Sequence, residues 1–505
     1  MCEIIEIDTS KINSSNFEHS LYKVREQVAG YTMSKYESLV TVLVQAYNGI
    51  AKTRTCVESL IRTTEGVDCD VWLIDNGSTD GTFEYFKTVK FEKMHILRLT
   101  ENKGSPLPWH YFSPSMLSKY VVIVASDLVF TNNWLINLIK AAESDPKIGM
   151  VNPMSSNVSN LQQINLNFAN NDELQAEARK LNVSDPRKWQ ERLRIVTIGT
   201  IFKKECLYAI GVPLSDVGFA HNFGDDDISF RVRRAGYKVI LAGDTWIHHD
   251  DDKSKLSLEQ ARKMNEDLEI GRQNFRDKYF GIDAWNDVNN FIPEYLTVLK
   301  PNDESNNPKI LGIDVKCGTP ILEIKNKLRQ FDIYDAECYA FTSNAKYLID
   351  LQTVCGAGNV FCSDLNGFQD SFGTSLFNHI VVGNDINSYP EPLRIIDSTV
   401  RLLRKGGQLF ISIRNTFNIY TFLNMLGNIK TYNPEHALNY TVEEFLSILI
   451  QKGYNAEYIS ARSFNSIDQE LIDYASSCMK KLSVKDVNEA VFRLISEKYF
   501  FVISK

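Results

Sequence analysis

Acidic residues at the ends of predicted strands are the first candidates for chemistry in this sequence. Asp75 ends the apolar run 71–74 and opens the turn-forming sequence DNGSTDGT. A carboxylate at that position can accept hydrogen bonds from a base or a ribose. Asp127 follows the apolar run 120–125, where an acid is well placed to hold a metal ion. Both positions predict ligand binding at the carboxyl ends of buried strands.

Two more clusters lie further along the chain. Asp225, Asp226 and Asp227 open a predicted helix, and a carboxylate there can take a proton from a hydroxyl group. His248 and His249 end a predicted strand and are followed by three aspartates. Imidazole nitrogens are common metal ligands. The two clusters therefore offer a general base and further metal ligands.

Each of these residues also has a structural interpretation. Asp75 can cap a turn, because Asp and Asn favour such positions. The Asp triplet can cap a helix and interact with the helix dipole. Adjacent histidines are more often surface or packing residues than ligands. The order and spacing of all four elements, rather than any one of them, favour the functional interpretation.

The elements that would position these residues alternate between strands and helices. Residues 39–46 form a β-branched apolar run that is typical of a strand buried on both faces. Helical spacing follows over residues 53–64, and further strands are predicted at 71–74, 95–99 and 120–125. The alternation predicts an α/β fold with a parallel sheet. The polar stretch 155–195 is interpreted as an insertion that forms acceptor-side loops.

The organisation of the chain predicts two α/β domains. Residues 1–37 are interpreted as a helical N-terminal extension, and residues 38–295 as the first domain. The segment 296–308 includes all but the last residue of the sequence LKPNDESNNPK (299–309) and has the composition of a linker. Strands and helices alternate again over 309–505, which predicts the second domain.

Composition excludes several classes of protein. The chain has 505 residues, a net charge of −8 and a pI of about 5.6, which disfavours binding to nucleic acid by counterion release. No apolar run approaches the roughly 18–20 residues that span a bilayer. The nine cysteines are scattered singly without a CxxC pair, which indicates free thiols. We therefore expect a cytoplasmic protein without a membrane span, which could form a homodimer.

The sequence blocks of the first half resemble glycosyltransferase family 2, which has the Rossmann-like GT-A fold. The blocks are VTVLVQAYN (40–48), VWLIDNGSTDGT (71–82), LTENKGSP (99–106), YVVIVASDLVFTNNWL (120–135), FGDDDISFRVRRAGYKV (223–239) and WIHH (246–249). They occur in the order that the family has, over residues 38–285.

The resemblance implies roles for individual residues in binding a nucleotide-sugar. Asp75 would contact the uridine or its equivalent. The residues that would border the nucleotide are Ala46, Tyr47 and Asn48, and those near the diphosphate and ribose are Asn102, Lys103 and Gly104. Ser126 and Asp127 stand at the DxD site of the family, although its first acidic position is Ala125 here. Asp127 would then be the main ligand of Mn²⁺ or Mg²⁺, with His248 or His249 completing the shell.

The resemblance also implies an inverting single displacement. Asp225 aligns best with the catalytic base of the family, and Asp226 is the alternative because Gly224 replaces the usual acidic neighbour. The implied donor is a UDP-sugar, with UDP-N-acetylglucosamine as the first guess. The favoured acceptor is a protein serine or threonine hydroxyl, for example in flagellin; a lipid-linked or capsular glycan is an alternative. Other hypotheses are a bifunctional glycosyltransferase and methyltransferase, and a non-catalytic nucleotide-sugar-binding module.

The second half resembles a class I S-adenosylmethionine-dependent methyltransferase. The matching stretches are KILGIDVKCGTPILEIKNKL (309–328) and FNHIVVGNDINSYPEPLRIIDSTVRLLRKGGQLFISIRN (377–415). Asp314 and Lys316 replace glycines of the cofactor loop, where only glycine lets the backbone approach a ligand closely. Glu337 is the candidate for the acid that binds the ribose. We expect a degenerate, non-catalytic domain that does not bind S-adenosylmethionine and serves acceptor binding, dimerisation or positioning.

Overall fold

The computed structural model describes most of the chain in two compact units. The described residues are 3–9, 38–102, 104, 118–211, 214, 216, 219, 222–251, 257–301, 307–365, 368, 371–421, 439–464 and 467–505. Unit 1 comprises Met1–Asn289 and unit 2 comprises Asn290–Lys505. Each unit has its own sheet and its own hydrophobic core.

Ten strands among the described residues form the sheet of unit 1. They are β1 (Glu3–Ile7), β2 (Ser38–Ala46), β3 (Cys69–Asn76), β4 (Met94–Leu99), β5 (Ser118–Ala125), β6 (Leu128–Val129), β7 (Ile148–Ser155), β8 (Trp189–Arg192), β9 (Thr200–Lys203) and β10 (Lys238–His249). The order is β1-β4-β3-β2-β5-β9-β7-β10-β6, and β8 pairs with β10.

The sheet is parallel on one side and mixed on the other. Strands β1, β4, β3, β2 and β5 are parallel neighbours, as the alternating pattern predicts. β9 runs antiparallel to both of its neighbours, β5 and β7. The carboxyl ends of the parallel strands therefore meet at one edge, which is where ligands bind in open α/β sheets.

Helices cover both faces of this sheet. They are α1 (Ile50–Thr63), α2 (Thr82–Phe86), α3 (Trp134–Glu143), α4 (Asn171–Leu181), α5 (Lys204–Ile210), α6 (Gly224–Arg234) and α7 (Leu258–Lys278). Side chains alternate between the faces of a strand, so Val42 and Val44 join one apolar cluster and Leu43 joins the other. The near-continuous apolar sequence of β2 follows from this burial on both faces.

The prediction of a helix for residues 1–37 is wrong for β1. Glu3–Ile7 pairs in parallel with β4, from Glu3 opposite His95 to Ile7 opposite Leu99. The sequence EIIEI contains three isoleucines, whose branched side chains favour a strand, and the edge of β4 offers unpaired backbone groups. Residues 10–37 of the predicted extension lie outside the described residues.

β7 was not predicted, and its sequence explains why. Gly149 and Pro153 interrupt the apolar run IGMVNPMS, and both residue types argue against a central strand. All eight residues of β7 are nevertheless buried. A Cβ atom on Gly149 would lie 2.6 Å from the sulfur of Cys206, so the small residue permits close packing there. The predicted insertion 155–195 contains α4 and β8.

Unit 2 has a seven-stranded sheet within the described part of the chain. Its strands are β11 (Lys309–Ile313), β12 (Glu337–Thr342), β13 (Val360–Cys362), β14 (Phe377–Val382), β15 (Leu403–Arg414), β16 (Asn455–Ser463) and β17 (Ser496–Ser504). The order is β13-β12-β11-β14-β15-β17-β16. β17 runs antiparallel to β15 and β16, and the other neighbouring strands are parallel to each other. This is a doubly wound sheet whose strand order reverses between β11 and β14, as expected for a methyltransferase-like fold.

Helices also flank the sheet of unit 2. They are α8 (Pro293–Leu296), α9 (Thr319–Arg329), α10 (Leu348–Cys355), α11 (Pro392–Leu402), α12 (Val442–Gln451), α13 (Gln469–Lys481) and α14 (Val487–Ile495). α13 and α14 pack against each other, and neither contains a buried residue.

Unit 2 begins earlier in the chain than the sequence predicts. α8 lies partly in the predicted first domain and partly in the predicted linker. Its Tyr295 is buried, and its ring centroid lies 5.3 Å from that of Phe410 and 5.5 Å from that of Phe500. Glu294 forms an ion pair with Arg462 at 2.5 Å. These contacts assign residues from Asn290 onward to unit 2.

Two further findings concern the chain as a whole. In the described ranges, no helix combines the length and the apolar character that crossing a bilayer requires. The cysteines that the structure describes are all free thiols, as predicted, and six of them are buried.

Candidate active site

The loops that follow β2 and β3 are joined by hydrogen bonds between their polar residues. The backbone N–H of Asn48 donates to Ser78 Oγ at 2.9 Å, and Asn48 Oδ1 accepts from the N–H of Thr79 at 2.9 Å. Asp80 accepts from the N–H of Ile50, the first residue of α1, at 2.8 Å. Asn48 has a φ of 54°, a left-handed conformation that Asn tolerates. Tyr47 beside it is 51% exposed and is available for contact with a ligand, while Ala46 is buried.

The loop after β4 crosses closely under the same turn. A Cβ atom on Gly77 would lie 2.5 Å from the backbone nitrogen of Asn102, and Gly77 has a φ of 78°, so only glycine fits there. Asn76 Nδ2 donates to Asn102 Oδ1 and to the carbonyl of Gly104, both at 3.1 Å. The structure thus brings Asn102 and Gly104 next to the turn after β3. Lys103 lies outside the described residues.

Asp75 is fully buried at the end of β3. Its Oδ1 accepts from the N–H of Ser78 at 3.0 Å, and its Oδ2 has no hydrogen-bond partner among the described residues. Arg98 Nε is 3.9 Å from Oδ2. Burial raises the pKa of Asp75, although the bonds from Ser78 and the charge of Arg98 oppose this shift. One carboxylate oxygen is therefore free to accept a hydrogen bond from a ligand.

Asp127 and His249 form a pair at the carboxyl end of β5. Ser126 and Asp127 make the turn between β5 and β6, and β6 pairs with the last residues of β10. Asp127 Oδ2 lies 3.4 Å from His249 Nε2. Asp127 Oδ1 is buried and has no hydrogen-bond partner in the described part of the chain. Burial raises the pKa of Asp127, but the hydrogen bond and the charge of His249 outweigh it and lower the pKa.

The structure separates the roles of the two histidines. Successive residues of β10 point to opposite faces, so only His249 faces Asp127. His249 Nδ1 lies 3.3 Å from the carbonyl of Asn157. His248 Nδ1 lies 2.7 Å from Ser156 Oγ, and its ring packs edge-on against Phe168. His248 thus packs against Ser156 and Phe168 and does not contact Asp127 in the described structure, and burial lowers its pKa.

A lysine lies beside this pair. Lys52 in the first turn of α1 donates to the carbonyl of Asp250 and lies 3.6 Å from its carboxylate. The N–H of Asp250 in turn donates to the carbonyl of Asp127 at 2.9 Å. Lys52 is half exposed, and its charge lowers the pKa of both Asp127 and His248. A half-exposed cation thus lies close to the Asp127–His249 pair.

Asp227 serves the packing of α6 against α7. It is fully buried, and its carboxylate lies 2.9 Å from Arg231 Nε and 2.5 Å from Lys278 Nζ. The hydroxyl of Tyr279 donates to the same carboxylate at 2.6 Å. Asp227 therefore has its full set of partners inside the protein.

Asp225 and Asp226 differ in their partners. Asp226 is buried, and its Oδ1 lies 2.5 Å from Nε of the buried Arg194. Asp225 is only partly buried, and it accepts a hydrogen bond from the hydroxyl of Thr197. Burial raises the pKa of Asp225 to about 6; Thr197 opposes this shift and the charge of Asp226 adds to it. Of the two candidates for a base, Asp225 is the one without an ion-pair partner among the described residues.

A cavity of about 150 Å³ lies between the two groups. His249, the partner of Asp127, lines one side, and Thr197, the donor to Asp225, lines another. The rest of the wall comes from residues 125, 128, 157–159, 196 and 198. The cavity is thus lined by one residue that contacts Asp127 and by one that contacts Asp225.

The Asp127–His249 pair offers two candidate protein ligands for a cation. Within the described ranges, no group of three or more His, Cys, Asp or Glu side chains could hold a metal ion. The buried, unpartnered Oδ1 of Asp127 is the kind of oxygen that a divalent cation accepts. Mg²⁺ is commonly held by one or two carboxylates together with the phosphates of a substrate. The residues present fit a cation of that kind.

In unit 2 the corresponding edge of the sheet is filled by side chains of the protein itself. Asp314 follows β11 and has a φ of 47°, and Lys316 has a φ of 54°. Both keep the left-handed backbone of the glycines that they replace. The buried Asp314 carboxylate accepts from the N–H and hydroxyl of Ser343, at 2.7 and 2.9 Å, and from the hydroxyl of Tyr389 at 3.0 Å.

The prediction for the ribose-binding acid in unit 2 is wrong. The strand beside β11 is β12, which begins at Glu337 and ends at Thr342. Glu337 therefore lies at the amino end of its strand, 3.6 Å from Lys309, and away from the switch point. Ser343 directly follows the carboxyl end of β12, where the ribose-binding acid was expected, and its N–H donates to the Asp314 carboxylate.

Several residues that shape the site of unit 1 were not predicted. Thr197 and Arg194 contact the Asp cluster from 28 or more positions away in the sequence. Ser156 and Asn157 orient the two histidines from more than 90 positions away. No local motif marks these residues, because their role depends on β7 and β9 lying beside β10 and β5.

Comparison with known proteins identifies the first unit. Residues 41–200 match the family model of Glycosyl transferase family 2. No protein with a curated description matches the chain. Residues 41–200 form a glycosyltransferase family 2 domain, and this covers the turns after β2, β3 and β5.

Solved structures that resemble parts of the chain fall into two groups. The mannosyltransferase PcManGT from Pyrobaculum calidifontis, in complex with GDP-Man and Mn²⁺, is 19% identical over 48% of this chain and 67% of that chain, with a TM-score of 0.33. GalNAc-T7 with UDP, GalNAc and Mn²⁺ is 11% identical over 47% of this chain and 53% of that chain, with a TM-score of 0.34. A SAM-dependent methyltransferase from Archaeoglobus fulgidus is 15% identical over 46% and 99%, with a TM-score of 0.27. The chain thus spans about half the length of GalNAc-T7.

The Asp cluster yields a prediction about stability. We expect Asp227→Asn to lower the free energy of unfolding by about 2–3 kcal/mol, because two cations lose their buried counter-charge and are only partly exposed to water. Asp225→Asn is the matched control, and we expect its stability to stay the same or to rise, because the amide keeps the hydrogen bond from Thr197 and removes a charge that burial disfavours. Urea unfolding at pH 7 measures both. An equal loss in the two variants would contradict the separation of structural and functional acids.

Proposed function

We propose that this chain, a glycosyltransferase with a family 2 domain over residues 41–200, moves a sugar from a UDP-sugar to a hydroxyl group with inversion. The observation that supports this is the cavity flanked by the Asp127–His249 pair and by Asp225 with its bound Thr197. Transfer from a nucleotide diphosphate needs a cationic environment for the leaving group and a base for the acceptor. Those two requirements have separate candidates, each in contact with a residue that lines the same cavity.

Asp75 supports uracil as the base of the donor. Its Oδ1 is occupied by the N–H of Ser78, so a single buried oxygen remains to accept a hydrogen bond. Uracil offers one ring N–H, whereas guanine offers a ring N–H and an adjacent amino group. Leaving either a donor or an acceptor unpaired in a buried site is costly. The exposed ring of Tyr47 at the end of β2 is available to pack on the base.

We further propose that Asp127 and His249 hold a divalent cation, Mn²⁺ or Mg²⁺, together with oxygens of the donor diphosphate. The bound cation would neutralise charge on the departing diphosphate. Lys52 can leave Asp250, since this contact is half exposed, and bind a phosphate oxygen. Ala125 stands where an acid would add a further metal ligand. The cation at Asp127 and His249, together with Lys52, would therefore supply the positive charge near the diphosphate.

Asp225 is the proposed general base. Its carboxylate takes the proton of the acceptor hydroxyl while the hydroxyl oxygen bonds to the anomeric carbon. The bond from that carbon to the diphosphate oxygen breaks with its electron pair, and UDP leaves. Thr197 orients the carboxylate through its hydrogen bond. Attack opposite to the leaving group inverts the anomeric carbon.

The remaining assignments follow from this scheme and from analogy. UDP-N-acetylglucosamine is the first candidate donor, and a serine or threonine hydroxyl of a protein is the favoured acceptor. We propose a non-catalytic, positioning role for unit 2. The support is Asp314, whose carboxylate occupies the switch point with Ser343 and Tyr389. An Asp carboxylate there would repel the carboxylate of S-adenosylmethionine and crowd the cofactor.

The proposal is tested by thermal unfolding with Mn²⁺ and, in turn, UDP, GDP, dTDP and S-adenosylmethionine. We expect UDP with Mn²⁺ to raise the midpoint of unit 1 by several degrees, because a ligand at 100 times its Kd stabilises by about 2.7 kcal/mol. Asp75→Asn should abolish the shift, since an amide has only one acceptor oxygen. The matched control Asp68→Asn, at the exposed amino end of β3, should keep it. A shift with GDP but not UDP would refute the uracil assignment, and a shift with S-adenosylmethionine would refute the role given to unit 2.

Activity should depend on pH through Asp225. Its pKa of about 6 lies above the ordinary value, so the carboxyl is protonated and inactive as a base below that pH. We expect kcat/KM for transfer to be constant above pH 7 and to fall about tenfold per pH unit below 6. Asp225→Asn should lower kcat by about 10²–10⁴ and remove this limb. Far-UV circular dichroism over the same range is the control for unfolding, and a limb that persists in Asp225→Asn would assign the base to another group.

A further inference from the structure

One part of the wall of the 150 Å³ cavity, residues 157–159, belongs to a loop with an unusual backbone conformation. Residues 156–163 connect β7 to the rest of the insertion, and three of them that are not glycine have a positive φ: Asn157 at 52°, Asn160 at 65° and Leu161 at 54°. Such conformations cost free energy and persist only where the surroundings enforce them. Their concentration in one short loop indicates that the position of this loop matters.

Hydrogen bonds fix this loop to the opposite wall of the cavity. Gln162 forms two bonds with Val196: its Oε1 accepts from the N–H at 2.8 Å, and its Nε2 donates to the carbonyl at 2.9 Å. Asn160 Nδ2 donates to the carbonyl of Arg194 at 3.0 Å. The two walls, residues 157–159 and 196–198, are therefore held at a fixed separation. A preformed pocket of this kind selects ligands by shape.

The side chains in the cavity favour an uncharged, partly apolar group. The apolar part of the wall consists of Leu128, Val158, Val196 and Ile198. None of the described residues that line the cavity is Lys, Arg, Asp or Glu, and His249 is paired with Asp127. A carboxylated sugar substituent would thus be desolvated without a counter-charge, which is costly.

Polar groups on the same wall match an amide. Asn157 donates its Nδ2 to the carbonyl of His249 at 2.8 Å, which directs its amide oxygen away from that bond and leaves it as an acceptor. The hydroxyl of Ser159 and that of Thr197 add groups that can both donate and accept. A cavity of 150 Å³ corresponds to about five water molecules at ~30 Å³ each, which suits a substituent of a few heavy atoms.

The position of the cavity selects one carbon of the sugar. If the proposed function holds, the anomeric carbon lies between the diphosphate at Asp127–His249 and the acceptor oxygen at Asp225. The second carbon is bonded directly to it, so its substituent is the one that reaches a cavity bordered by both His249 and Thr197.

We propose that this cavity binds the acetamido group on the second carbon of the transferred sugar. The donor class is then a UDP-N-acetylhexosamine, and Val158 with Asn157 determines the specificity. The methyl group packs on Val158, Val196 and Ile198, and the amide N–H donates to Asn157 Oδ1. This inference rests on the proposed function and adds the class of sugar to it.

Donor selectivity tests the inference in the full chain. The measurement is kcat/KM with Mn²⁺ for UDP-release from UDP-N-acetylglucosamine, UDP-N-acetylgalactosamine, UDP-glucose, UDP-galactose and UDP-glucuronic acid. We expect kcat/KM for at least one acetamido donor to exceed kcat/KM for every donor without an acetamido group by about tenfold or more. Val158→Phe should lower kcat/KM for the acetamido donors at least tenfold. It should leave kcat/KM for the hexose donors within about twofold of the wild-type value and leave UDP affinity unchanged. Ala125→Leu narrows the same cavity from the exposed end of β5 and should act in the same direction.

Leu161→Phe is the matched control in the same loop, because Leu161 is exposed and does not line the cavity. It should leave the donor ratio unchanged. Hexose donors that equal or exceed the acetamido donors in the wild-type chain would overturn the inference and keep the proposed function. An equal loss for all donors in both cavity variants would also overturn it. Failure to bind UDP or to use any UDP-sugar would instead refute the proposed function itself.

Discussion

Carboxylates that are wholly or partly buried at the carboxyl edge of the first sheet constrain the structure around them. A carboxylate removed from water needs a cation or several hydrogen bonds, and here most receive one: Asp127 from His249, Asp226 from Arg194, and Asp227 from Arg231 and Lys278. These partners come from α6, α7, β10 and the segment before β9. Compensating the acids therefore holds the elements around the site in place. Asp75 and Asp225 are the acids whose charge is incompletely compensated. We assign the binding of a ligand to Asp75 and the transfer of a proton to Asp225.

The sequence predicts the parts of the site that sit directly after strands. Asp75, Asp127 and the two histidines lie at the ends of apolar runs, and the structure places them at the ends of β3, β5 and β10. The sequence could not predict which histidine faces Asp127, because this depends on how the side chains of β10 alternate relative to β6. Nor could it separate Asp225 from Asp226, since Thr197 and Arg194 reach them from another segment. β1 and β7 were missed because tertiary pairing outweighs their local composition.

The second unit has a doubly wound sheet with polar contacts at the point where its strand order reverses. Asp314 and Lys316 adopt a backbone conformation that is normally left to glycine. The strain is offset by three hydrogen bonds from Ser343 and Tyr389 to the Asp314 carboxylate. These bonds join the segments that follow β11, β12 and β14. Glu337 misled the sequence-based assignment because the strand begins, rather than ends, at that residue.

We propose that one carboxylate, Asp225, acts as the base for a direct displacement of the diphosphate, without a covalent intermediate on the protein. The stereochemistry of the product tests this most directly. Proton NMR during turnover of a UDP-sugar with an α-linkage shows the anomeric configuration of the first product formed. The account predicts a β-linked product. An α-linked first product would contradict the single displacement and the role of Asp225 as base.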